Sequence, residues 1–90
     1  MPLFNVVVHG RGLWISIDDE VQRIAFRVTR VVEAVDADRA AQQALEVVGG
    51  DRRATPLPGY APPRLSVESV TPADALPDPQ PGFAFFPEGE

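Results

Sequence analysis

Residues 24–50 read IAFRVTRVVEAVDADRAAQQALEVVGG, and the change of period inside this stretch decides the fold. Ile24, Phe26, Val28, Val32 and Ala34 share one face at a spacing of two, against Arg23, Ala25, Arg27, Thr29 and Glu33 on the other. This predicts a strand from Val21 to Val35, with Arg30 intruding on the apolar face and marking a bulge or bend. From Ala37 the period lengthens. Ala37, Ala40, Ala41, Ala44, Leu45 and Val48 form one helical stripe. Asp36 stands where an N-cap is needed, and Asp38 suits the positive end of the helix dipole. Gly49-Gly50 ends the helix. The stripe's alanines let the helix approach a sheet closely, while Leu45 and Val48 anchor it.

Toward the N-terminus, Phe4, Val6 and Val8 alternate with Asn5, Val7 and His9, which predicts a strand. Gly10-Arg11-Gly12 reads as a tight turn, because glycine reaches positive φ at no steric cost. Leu13, Ile15 and Ile17 then alternate with Trp14, Ser16 and Asp18, giving a second strand paired with the first. Asp18-Asp19-Glu20 is the connection onward. Beyond the helix, residues 51–63 are a proline-rich loop by composition. Leu65 and Val67 alternate with Ser66 and Glu68 until Pro72, and Gly82-Phe83-Ala84-Phe85-Phe86 is a last short strand closed by Pro87. The predicted class is α+β: one antiparallel-dominated sheet on one helix, in the order β-β-β-α-β-β. It makes a single small domain over residues 1–90. Residues 1–50 hold β-β-β-α, and 64–90 hold two strands with proline-rich connections.

One helix covers only one face of such a sheet. Phe4, Val6, Val8, Ile15, Ile24, Phe26, Leu65 and Val67 are expected beneath it. The other face offers Val7, Trp14, Arg27, Thr29 and Val31, a mixed surface with one large aromatic.

Ninety residues hold one domain, and 44% hydrophobic with 23% charged is ordinary for a folded chain. Eight basic residues face 13 acidic ones, for a net charge of −5, which disfavours binding driven by phosphate contacts. All eight cations are arginine, a bias that fits a GC-rich genome. The absence of cysteine excludes disulfides, thiolate metal sites and cysteine nucleophiles. The opening residues lack the basic and apolar regions of a signal peptide, and no apolar run is long enough to span a bilayer. The expected setting is cytoplasmic, with no membrane contact.

Phe26-Arg27-Val28-Thr29-Arg30-Val31-Val32-Glu33-Ala34, then Ala40 and Ala44-Leu45, resembles a strand-to-helix signature of small uncharacterised bacterial proteins. The likeness continues through Pro63-Arg64-Leu65-Ser66-Val67-Glu68-Ser69-Val70 and Pro81-Gly82-Phe83-Ala84-Phe85-Phe86-Pro87, and so spans most of residues 24–87. That family implies an α+β fold and carries no assigned activity. The Val32-Glu33-Ala34 to Ala44-Leu45 pattern is also loosely similar to HicB-type antitoxins. Their Pro-Asp-Leu-Pro-Gly stretch has no counterpart in residues 17–26.

Chemistry-bearing residues are few. His9 is the single histidine and so the one ordinary general base near neutral pH, but no serine or cysteine neighbours it in sequence. Asp18-Asp19-Glu20 lacks the spaced ligands of a calcium loop and reads as a solvated turn. Gly10-Arg11-Gly12 could offer N–H groups to an anion, yet has no phosphate-loop spacing. Trp14 with Arg23 and Arg27 sketches a stacking surface for single-stranded nucleic acid, extended by Arg52, Arg53 and Arg64, against which the acidic balance counts. Phe83, Phe85 and Phe86 form the one aromatic cluster. It either completes the core or recruits a partner at a sheet edge. The reading reached is a non-enzymatic module without cofactor or metal that contacts a protein partner or a second copy of itself. It is accessory in kind, antitoxin- or immunity-like. Trp14, Arg23, Arg27, Phe85 and Phe86 are its candidate contact residues. Nucleic-acid binding through the arginine-bearing face, and binding of a small ligand, are the alternatives.

Overall fold

Leu3 to Ile17 is one continuous strand, β1, and it pairs antiparallel with β2 (Glu20–Glu33) along nearly its whole length. The computed structural model describes residues 1–88; Gly89 and Glu90, the end of the expected last segment, lie outside them. Helix α1 (Ala37–Gly49), a 3-10 turn (Arg52–Ala54), β3 (Arg64–Ala73) and β4 (Ala84–Pro87) follow. The four strands lie in the order β3-β1-β2-β4. The chain is therefore α+β, a single antiparallel sheet with one helix.

Gly10-Arg11-Gly12 is not the hairpin turn that its composition suggested. Gly10 faces Phe26 and Leu13 faces Ile24, so β1 carries one residue more than β2 across this step, a β-bulge with Gly12 at φ +74°. The two strands expected on either side are one, and the order is β-β-α-β-β. The bulge explains the misleading pattern: it shifts the alternation by one, so Val6, Val8 and Leu13 all reach the same buried face. The true turn is Asp18-Asp19, both at positive φ, between the paired Ile17 and Glu20. A second bulge places Glu68 as an extra residue on β3, between the Val7–Ser69 and Val8–Val67 pairs.

The bulge or bend expected at Arg30 is also absent, since Arg30 pairs with Val6 in regular register. Its guanidinium stays on the buried side, with the residue 6% exposed. Nη1 donates to the carbonyls of Thr29 at 2.9 Å and Pro81 at 2.6 Å, and Asp51 lies 3.9 Å away. The charge is met by partners rather than by distorting the strand.

The helix begins as its caps require: Asp36 accepts from the Arg39 N–H at 2.8 Å. Ala40, Ala44 and Val48 are buried against β1, β2 and β3. The core beneath joins Val6, Val8, Leu13, Ile24, Phe26 and Val28, and Phe4, Ile15, Leu65 and Val67 pack around them, so the expected helix-side set is found there. The helix is short beside the hairpin. Thirteen residues make about 20 Å of helix, whereas the 15 residues of extended, twisted and bulged β1 run for about twice that length. The helix C-terminus lies at Leu65, which pairs with Gly10, so it covers the half of the hairpin nearest the chain start. The other half, toward Asp18-Asp19, projects past it, and the molecule is 44 × 23 × 21 Å.

Two loops protect the edges that the strands leave open. The Leu57 N–H donates to the Trp14 carbonyl at 3.0 Å, tying the proline-rich loop to β1 beyond the end of β3. Gln80 uses its amide as a strand would, accepting from Val31 N–H at 3.1 Å and donating to the Val31 carbonyl at 3.0 Å. No helix is long and apolar enough to cross a membrane among the described residues.

Candidate functional site

The projecting half of the hairpin has two faces with different chemistry. On the helix side, Ile15 and Ile17 of β1, Gln22 and Ile24 of β2, and Phe85, Phe86 and Pro87 of β4 line an open groove of about 370 Å³, with Arg53. Ile17 is 37% exposed, Phe85 46% and neighbouring Val21 47%. β4 builds one wall because Phe85 pairs with Phe26 and so shares its face. Phe83 and Phe85 stack at 5.6 Å, and each also packs its ring on Phe26. Arg53 and Arg30 hold their guanidiniums 4.5 and 5.4 Å from the Phe83 ring centre. Asp51 ties the two arginines together, bonding Arg53 Nη2 at 2.9 Å. The Arg53 hydrogen bond holds the Asp51 carboxyl below the usual carboxylate range, and burial lowers the pKa of Arg30.

The opposite face carries two small clusters. In the first, Trp14 stacks on Tyr60 at 5.3 Å, and its cross-strand partner Arg23 lies 5.9 Å from the indole centre. In the second, His9 stacks on Phe86 at 6.0 Å beside its cross-strand partner Arg27. Arg27 reaches over β1 to Glu68, donating from Nε at 3.1 Å and Nη2 at 2.9 Å. That bond raises the pKa of Arg27 and lowers that of Glu68. Ser66 is the β3 neighbour of His9, and no hydrogen bond joins them among the described residues.

The expected contact residues thus separate. Trp14 sits with Arg23, and Arg27 sits with Phe86, 5.9 Å from its ring. Phe85 faces the other way, into the groove. Of the arginines considered as an extension, Arg64 lines the pocket beside Trp14 while Arg53 belongs to the groove side. Sequence reasoning missed the exposure of Ile17, because its alternation is the same whether or not a helix lies over it, and placed Ile15, which is only partly buried, beneath the helix. It also missed Tyr60 and Glu88, which reach the Trp14 cluster from loop and tail with no local periodicity to mark them.

The Asp18-Asp19 turn stands alone, and no three histidine, cysteine or acidic residues come together as a metal-holding group among the described residues. No known family model, curated protein or solved structure matches the chain.

Proposed function

We propose that this chain is a protein-interaction module, accessory in kind as an antitoxin or immunity component is, that seats a partner in the groove on the helix side of the projecting hairpin. One observation carries the reading: the apolar row of β1 continues past the helix, so Ile15, Ile17, Phe85 and Pro87 stay together on the surface. Apolar residues gathered in one concave patch favour a partner's apolar side chain over water. The groove takes an apolar segment of a protein chain, and the short β4 edge beside it offers backbone groups for strand addition. The module acts by contact rather than by catalysis, and we place it in the cytoplasm. The nucleic-acid alternative is weakened because Glu68 already neutralises Arg27.

The test is capture of partners by the tagged native chain and by Ile17→Asp, after nuclease treatment. A protein retained by the native chain and reduced at least about tenfold by Ile17→Asp supports the groove. Ile17 is already 37% exposed, so the substitution is expected to leave the melting temperature nearly unchanged. Equal retention by both chains would remove the groove from the account.

A further inference from the structure

Around the bulge on the opposite face, the chain binds one of its own carboxylates. Glu88 accepts from the Gly12 N–H at 2.7 Å, with Arg11 Nε and Arg23 Nε each 3.6 Å from its oxygens. The side chain of Glu88 is only 13% exposed. The bulge creates this donor, because its extra residue leaves the ladder and Gly12, at φ +74°, can turn its N–H toward the carboxylate.

We propose that Gly12, Arg11, Arg23 and Arg64 form a carboxylate-binding site in which Glu88 is an internal occupant, and that a carboxylate ligand takes the site by displacing it. The surrounding cavity of about 410 Å³ is far larger than one carboxylate and continues to Trp14, Pro62 and Arg64. Three arginines and a single acid line this cavity, so the local charge favours an anion although the chain carries −5 overall. Backbone N–H and arginine donors suit a carboxylate, as Glu88 itself demonstrates. Glu88 follows β4, which is fixed on β2, so it competes at a high effective concentration and holds the native site closed to weak ligands. This site is separate from the groove and does not depend on it.

Trp14 is the single tryptophan and lines the cavity, so its fluorescence reads occupancy. Succinate, and separately a peptide carrying two glutamates, are titrated into the native chain, Glu88→Gln, and Glu88→Gln combined with Arg23→Gln. The expected result is saturable binding to Glu88→Gln at least about tenfold tighter than to the native chain, lost in the double variant. Binding of succinate alone assigns a free dicarboxylate, and binding of the peptide alone assigns an acidic side chain of a protein. Equal affinity in native and Glu88→Gln chains, survival in the double variant, or no saturable response overturns the site. An equal response to inorganic phosphate overturns the carboxylate assignment. Should Glu88→Gln fail to fold, the native chain at high succinate decides instead: Arg23→Gln abolishes its weaker response, and an undiminished response refutes the proposal.

Discussion

Gly10 matters through the side chain it lacks. A Cβ built there would overlap the ring of Phe26, its fully buried cross-strand partner. Gly10→Ala is therefore expected to cost about 1–3 kcal/mol by overpacking, read as a lower urea midpoint at unchanged slope. An unaltered midpoint would mean that Phe26 has another place to go. At the hairpin tip, Asp18 at φ 52° and Asp19 at φ 67° hold left-handed backbone without being glycine. Asparagine-glycine is the pair this turn favours. Replacing both aspartates by it is expected to raise stability by about 1 kcal/mol, and a drop on thermal melting would show that the aspartates are held there by something other than the turn. Asp18-Asp19 was legible as the connecting turn, whereas Gly10 was not legible in its role. Gly-x-Gly suits a turn and a bulge equally, and only pairing across the sheet tells them apart.

At the scale of elements, local periodicity and the helix caps were readable, and contacts between distant segments were not. The helix appears with its cap at Asp36 and its buried alanines, because both signals lie within a few residues of sequence. The Val21–Val35 strand is also present, two residues shorter at its end and one longer at its start. Arg30 was misread because its partners, Pro81 and Asp51, come from segments 51 and 21 residues away in the chain. The same cluster carries a pH dependence. Asp51 ionises more readily when folded, chiefly through its Arg53 hydrogen bond, so it stabilises the fold above its ordinary carboxylate value. That contribution is lost as pH falls through the ordinary value and on through the lower folded one, where Arg30 loses its neighbouring negative charge. The urea midpoint is expected to fall as pH drops below about 5, and to fall less in Asp51→Asn than in the native chain. An equal fall in the two proteins would place the acid sensitivity elsewhere.

For the whole molecule, the mismatch between a long hairpin and a short helix is the organising fact. It produces the 44 Å length, leaves the apolar row of β1 partly uncovered, and sets the groove and the Glu88 site on opposite faces of one projecting arm. Composition announced an acidic single domain poor in catalytic groups, but the places where surfaces gather depend on where the helix stops. A photo-crosslinking residue placed at Ile17, or at exposed Ser69 on the opposite face, tests the proposed protein contact at Ile17 inside the source cells. A discrete, nuclease-resistant protein adduct is expected from position 17 and none of that size from position 69. No adduct from position 17, or the same adducts from both positions, would contradict it.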